Sequence, residues 1–142
     1  MNAVSLPNIY TDGSCLKNPG GEGGWAFVIV KDNEIDSIGY GSNPSTTNNR
    51  MELFAVIQAL SAVDKGEYNL YTDSQLVLKC ATGIWNIKAN IELWNEYNVV
   101  SQDKKINWYW VKAHNGNKYN EIVDKIAYEE AKKLQKIKNL VV

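Results

Sequence analysis

Ile9-Tyr10-Thr11-Asp12-Gly13-Ser14 and Leu70-Tyr71-Thr72-Asp73-Ser74 repeat one pattern. In each, an apolar, β-prone run ends in an aspartate followed by small polar residues. Each stretch reads as a strand that delivers a carboxylate at its C-terminal end. Side chains alternate faces along a strand, so Tyr10 projects with Asp12 and Tyr71 with Asp73. If the two strands are parallel neighbours, both acids reach the same edge of one sheet, where open α/β sheets bind their ligands.

Working outward, 142 residues with 44% hydrophobic content suit one globular domain with a sizeable core, expected to span 1–142. No apolar run approaches the roughly 18 residues of a membrane span, and Met1 to Tyr10 has neither a basic start nor an apolar stretch of leader type. The expectation is a cytoplasmic protein without a membrane partner. Cys15 and Cys80 lack metal-type spacing, which argues against a zinc site or a disulfide scaffold. A net charge of −1 speaks against a nucleic-acid partner, unless several acids serve a cation that offsets them locally.

The rest of the chain supplies a frame for the two strands. Asn8 to Ser14 is the first strand, and Leu16 to Gly24 is a loop dense in turn formers. Trp25 to Val30 and Ile35 to Gly41, joined at Asp32-Asn33, complete an antiparallel meander. The cap-rich segment Asn43 to Asn49 precedes a helix over Arg50 to Val63, with Leu53, Val56, Ile57 and Leu60 at helical spacing. Tyr68 to Thr72 follows, and a right-handed crossover places it parallel to the first strand. Ser74 caps a short helix, Gln75 to Ala81, which Gly83 ends. A further helix runs from about Ala89 to Ser101, a fifth strand over Ile106 to Val111, and a last helix over Lys118 to Lys138. Trp85, Trp94, Trp108 and Trp110 read better as core than as stacking platforms for bases. Lys132, Lys133, Lys136 and Lys138 read most simply as a solvated face.

Three further residues are informative. Glu52 has Ala55, Val56, Ala59 and Val63 as its neighbours on the helix, so an ionised carboxylate there needs a partner. Two roles compete for it: a capping box with Asn49 as N-cap, or a share of a cation with Asp12 and Asp73. The nearby acids favour the cation. Asp124 lies in the early turns of the last helix, where the helix dipole alone would account for an anion. His114, the one histidine, sits in the polar loop Lys112 to Asn117, and taken alone would be incidental.

Taken together, the motifs resemble a family. Thr11-Asp12-Gly13-Ser14-Cys15, Asn18-Pro19-Gly20, Thr47-Asn48-Asn49-Arg50-Met51-Glu52-Leu53, Thr72-Asp73-Ser74-Gln75, and Trp110-Val111-Lys112-Ala113-His114 through Asn120-Glu121 to Asp124 are similar, in order, to the motifs of type 1 ribonuclease H. The resemblance runs from about residue 8 to residue 135. It implies an α/β ribonuclease H-like fold: a five-stranded mixed sheet, order 3-2-1-4-5, with helices on both faces. It also implies endonucleolytic hydrolysis of the RNA strand of an RNA/DNA hybrid, leaving a 5′-phosphate and a 3′-hydroxyl.

Matched residue by residue, the resemblance makes Asp12, Glu52, Asp73 and Asp124 catalytic and metal-holding, and gives His114 a part in proton transfer or product departure. It implies two Mg²⁺ ions, completed with substrate, with Mn²⁺ accepted in their place. Oxygen ligands suit that choice, and paired ions suit phosphodiester hydrolysis. Asn18, Asn48 and Gln75 match polar contacts to the minor groove, where the 2′-hydroxyl separates RNA from DNA. Cys15 and Asn49 neighbour them, and Thr47 matches a phosphate contact to the DNA strand that Trp85 or Asn86 would complete. A monomer without an obligate protein partner is expected.

Two departures stand out. Ile84 to Asn90 leaves no room for the basic, tryptophan-containing protrusion of many bacterial members, so weaker hybrid affinity is expected. Ala113 also stands where the family often has glycine. Two other readings are an integrase- or resolvase-like enzyme acting on DNA and a catalytically silent hybrid-binding module. His114 with Asn48, Asn49 and Gln75 argues against the first, and the repulsive set of four acids against the second.

Overall fold

In the structure of this chain, a computed structural model, the two aspartate-bearing runs are strands β1 (Asn8–Cys15) and β4 (Gly66–Thr72). They pair in parallel, with Ile9 opposite Leu70 and Tyr10 opposite Tyr71. Asp12 and Asp73 each lie two residues further on, so both acids arrive at one sheet edge. The structure describes residues 5–140, and the two ends of the expected domain, 1–4 and 141–142, lie outside them.

Around this pair stand β2 (Gly23–Lys31), β3 (Glu34–Asn43) and β5 (Lys104–Trp110), giving one mixed sheet in the order β3-β2-β1-β4-β5. β1, β2 and β3 form the antiparallel meander, while β5 runs parallel to β4. The hairpin between β2 and β3 turns on Asp32 and Asn33, whose φ angles are +51° and +64°. Both central residues are left-handed, as a two-residue hairpin loop requires, and Asp and Asn tolerate that region better than most.

Helices α1 (Asn48–Ser61), α2 (Gln75–Ala81) and α3 (Ile91–Ser101) lie on one face, and α4 (Lys118–Leu140) lies on the other. The alternation of β1 and β2 divides the core accordingly. Ile9, Phe27 and Ile29 meet Leu53, Val56, Leu60 and Trp94 from the first helical layer. Tyr10, Ala26, Val28 and Val30 meet Val123 and Ala127 of α4. Gly24 is required by that second contact, because a Cβ there would stand 2.0 Å from the Ala127 carbonyl oxygen.

Element ends differ from the sequence reading by a few residues. α1 begins at Asn48 because Thr47 is its N-cap, its Oγ1 accepting from the Arg50 N–H at 3.2 Å. The capping box built on Asn49 and Glu52 therefore does not form. Glu52 lies beyond the first turn and has a different partner. α3 starts after Asn90, a left-handed residue without a side-chain cap bond, and strands β2 and β5 start earlier than their apolar runs. Only residues 82–90 separate α2 from α3, so there is no protrusion at that point.

Candidate active site

Glu52 reaches the strand acids because α1 packs unusually close to the end of β1. A Cβ on Gly13 would stand 2.3 Å from the Glu52 backbone nitrogen and from the Met51 carbonyl carbon, so no other residue fits there without moving the helix. The Gly13 N–H then serves two carboxylates, donating to Asp12 Oδ1 at 2.9 Å and to Glu52 Oε1 at 2.8 Å. Asp73 arrives on the strand-to-helix turn between β4 and α2. There Thr72 Oγ1 accepts from the Ser74 N–H at 3.1 Å, and Ser74 Oγ accepts from the Val77 N–H at 3.1 Å. The carbonyl of Asp73 accepts from Trp110 Nε1 at 3.1 Å, tying the acid to the end of β5.

Asp12, Glu52 and Asp73 each offer a carboxylate oxygen within 4.8 Å of the others. Asp12 and Glu52 are almost fully buried, at 2% and 4% exposure. Burial raises the Asp12 carboxyl far above the ordinary carboxylate range, and the adjacent Glu52 charge raises it further. Burial likewise pushes Glu52 up to about 8. Asp73 is raised by burial as well, with the neighbouring Asp12 and Glu52 carboxyls working in the opposite direction. Left to themselves, the three acids keep a proton among them near neutrality. Glu52 Oε2 is buried without a hydrogen-bond partner. An orphaned hard oxygen beside two further carboxylates is a donor set that could hold a divalent metal ion.

Asp124 lies just outside this trio, close enough to Asp12 and Asp73 to raise both of their carboxyls. It projects from the second turn of α4, and its Oδ2 lies 3.6 Å from His114 Nδ1. Their side chains are 38% and 75% exposed, so the pair lies at the solvent-facing side of the trio. His114 has a φ of +55° in the loop between β5 and α4, an uncommon conformation for a non-glycine residue. Asn117 ends that loop by capping α4, its Oδ1 accepting from the Asn120 N–H at 2.9 Å.

The residues matched to substrate contacts gather beside the acids. The β1–β2 loop is bound to the lead-in of α1 by Gly20 N–H to Thr46 O at 2.7 Å and Thr46 N–H to Gly21 O at 3.0 Å. Asn18 Oδ1 accepts from the Asn48 N–H at 3.0 Å, which leaves the Asn18 amide hydrogens free to donate outward. Cys15 directs its thiol at the carbonyls of Lys17 and Thr46, so its side chain holds the loop together. Asn18, Asn48, Asn49 and Gln75 are exposed around the cluster. Beside them a cavity of about 530 Å³ opens between α1 and the 82–90 segment, lined among others by Asn49, Leu76, Trp85, Asn86 and Lys88.

The reading of the tryptophans as core holds for two of the four. Trp94 is buried and Trp108 packs against the same cluster, but Trp85 and Trp110 are 43% and 47% exposed. Both lie near strand or helix ends, where apolar spacing no longer reports burial. The basic tail of α4 is a solvated face as read, its Lys133 and Lys138 side chains 67% exposed, with surface contacts from Lys138 Nζ to Glu22 Oε1 and from Lys133 Nζ to Glu130 Oε1, both at 3.0 Å. Sequence reasoning missed the shared Gly13 donor and the Trp110 bond. Only the first had a signal, in the glycine that directly follows Asp12.

Comparison with known proteins gives the same picture. The RNase H family model matches residues 6–132. Ribonuclease HI of Campylobacter jejuni is 45% identical over 136 residues, covering 89% of this chain and 91% of the relative. RNase H1 from the halophilic archaeon Halobacterium salinarum superposes with a TM-score of 0.75 at 28% identity, over 91% of this chain and 99% of that one. LC11-RNase H1, solved in complex with an RNA/DNA hybrid, has the same fold with a TM-score of 0.77 at 23% identity, over 89% of this chain and 97% of that one. An acid trio with two buried members at the edge of this sheet and relatives of this similarity lead to one conclusion: the chain belongs to the type 1 ribonuclease H family of endoribonucleases.

Proposed function

We propose that this chain hydrolyses the RNA strand of RNA/DNA hybrids with two Mg²⁺ ions, leaving a 5′-phosphate and a 3′-hydroxyl. Residues 1–142 would work as one catalytic domain, in monomeric form and in the cytoplasm, with Mn²⁺ accepted in place of Mg²⁺. The observation that carries the reading is the trio Asp12, Glu52 and Asp73, with its unpartnered Glu52 oxygen, at the C-terminal edge of two parallel strands. Among the described residues no helix is long and apolar enough to cross a membrane.

The roles are those that the family resemblance implies, and the placement of the acids is compatible with them. Asp12, shared between the strand and helix acids, would hold both ions, with Glu52 and Asp73 on the side of the attacking water and Asp124 on the other. When bound, such ions lower the pKa of a water and offset charge on the reacting phosphate. Glu52, fixed through Gly13, and Asp73, fixed through Trp110, are pre-positioned for this, so little reorganisation is needed on binding. His114, with Nδ1 facing Asp124, leaves Nε2 to carry a proton to or from the departing oxygen.

Substrate selection falls to the amides. Asn18, Asn48, Asn49 and Gln75 present donors and acceptors to the hybrid's minor groove, with Cys15 holding the loop that carries Asn18. Thr47 Oγ1 accepts within the cap, so its hydroxyl hydrogen is left to donate to a DNA-strand phosphate, with Trp85 and Asn86 alongside. The test is cleavage of end-labelled RNA/DNA hybrid, single-stranded RNA, duplex RNA and duplex DNA, each with Mg²⁺, Mn²⁺ or chelator. Cutting confined to the RNA strand of the hybrid and dependent on metal is expected. Cutting of duplex DNA, or undiminished cutting in chelator, would refute the reading.

A further inference from the structure

Tyr10, Tyr71 and Tyr109 form a pile of rings across three adjacent strands. Tyr10 and Tyr71 lie with centroids 4.6 Å apart and planes at 10°, and Tyr71 and Tyr109 lie 5.0 Å apart at 19°. These spacings match the separation of neighbouring strands, and the register places the three residues side by side. The rings therefore stand on edge from the sheet, each presenting its face to the next strand. β5 is the last strand of the sheet, so the pile ends in an outer ring face with no strand beyond it. Tyr109 is 45% exposed.

A cross-strand ladder of this kind can be purely structural. Two further observations point outward. α4 packs across β1, β2 and β3 and leaves the corresponding face of β4 and β5 uncovered among the described elements. One pleat repeat along that face, the polar groups satisfy each other: Asn107 Nδ2 donates to Glu67 Oε2 at 3.0 Å and to Asn69 Oδ1 at 3.2 Å. The rings are thus the apolar feature of an open polar surface. Its acid, Glu67, already has Asn107 at hydrogen-bond distance and Lys105 at 3.9 Å. Lys105 on β5 and Lys112 in the loop just past its end are both exposed.

The pile is also continuous with the acid site. Tyr10 precedes Asp12 by two residues and Tyr71 precedes Asp73 by two, so the rings lie about 7 Å below the carboxylates along the same strands. A strand leaving the acids across the open face of β4 and β5 would run toward the Tyr109 ring, since Tyr71 and Tyr109 are paired on that face. We propose that Tyr109 stacks an unpaired base of a single-stranded RNA tail running off the hybrid, with Lys105 and Lys112 beside its phosphates. Every base has a π-face, so such a site would bind without reading sequence. The inference rests on the hybrid-cleaving reading for the tail's origin.

The experiment measures binding with Ca²⁺ in place of Mg²⁺, so that the RNA is not cut, for blunt hybrid, for hybrids with a short unpaired tail on the RNA strand or on the DNA strand, and for free single-stranded RNA. An RNA tail should tighten binding about fivefold or more. Tyr109→Ala and Tyr109→Leu should remove that gain and leave blunt-hybrid affinity unchanged, while Tyr109→Trp should keep it. No gain from the RNA tail, an equal gain from the DNA tail, or a gain that survives in both ring-removing variants would overturn the proposal. Failure to bind blunt hybrid would count against the hybrid reading alone. In that event free RNA decides, since wild type should bind it several-fold more tightly than Tyr109→Leu, and equal affinity refutes the stack.

Discussion

Glu52 carries the clearest conflict between stability and chemistry in the molecule. Its carboxylate is buried, receives the Gly13 N–H on one oxygen and leaves the other unpartnered. Glu52→Gln keeps an acceptor for Gly13 and removes the charge. Cleavage should fall by roughly a hundredfold or more, while urea unfolding without metal at pH 8 should show a gain of roughly 1–3 kcal/mol. Asp73→Asn should nearly abolish turnover with folding unchanged by circular dichroism. Trp110→Phe tests the tie between β5 and β4. Losing one hydrogen bond to the Asp73 carbonyl should lower kcat about fivefold with KM little changed. Asp12 and Asp73 were legible in the sequence because each follows a β-run whose period fixes its direction, whereas Asp124 was singled out only through the family resemblance. Trp110 was not, because its alternation indicates a core residue and its bond is to a backbone carbonyl on another strand.

Among the elements, the decisive contacts are the two close approaches of helix to sheet, and each rests on a glycine. Gly24→Ala would drive a Cβ into the Ala127 carbonyl and push α4 off β2. A loss of about 2–4 kcal/mol in urea unfolding is expected, and cleavage should fall as well, because displacing α4 carries Asp124, one turn before Ala127, away from the other acids. Gly13→Ala meets the backbone of Met51 and Glu52 instead. It should destabilise by a similar amount and also eliminate cleavage, since separating α1 from β1 withdraws Glu52 from Asp12. The order of elements, the parallel pairing of β1 with β4 and the helical layers follow from hydrophobic period and the right-handed crossover, so the sequence carried them. Helix starts were less legible. Thr47 and Asn49 are both good caps, and the choice between them depends on where the β1–β2 loop anchors Thr46 and Asn48.

For the whole molecule, the buried acids set how stability depends on pH. Asp12, Glu52 and Asp73 all have carboxyl groups raised in the folded state, Glu52 from an ordinary 4.5 to about 8. Between those values the folded chain binds more protons than the unfolded one, so stability falls as pH rises. Without metal, the melting temperature should be highest near pH 4.5 and decline steadily to about pH 8, the opposite of a protein held by surface ion pairs. The described pairs that include Glu22, Glu92 and Asp103 pull the other way, since their carboxyls are lowered, but these act only below the ordinary carboxylate range. Mg²⁺ requires the deprotonated acids, so it should stabilise far more at pH 8 than at pH 5. At ten times its dissociation constant the gain is about 1.4 kcal/mol, a shift of a few degrees. Thermal melts at pH 5 and pH 8, with Mg²⁺ and with chelator, measure this directly, and Glu52→Gln should flatten both the pH slope and the Mg²⁺ response. A metal-free melting curve independent of pH over this range would mean that the three carboxylates are compensated by the fold itself and do not await a cation.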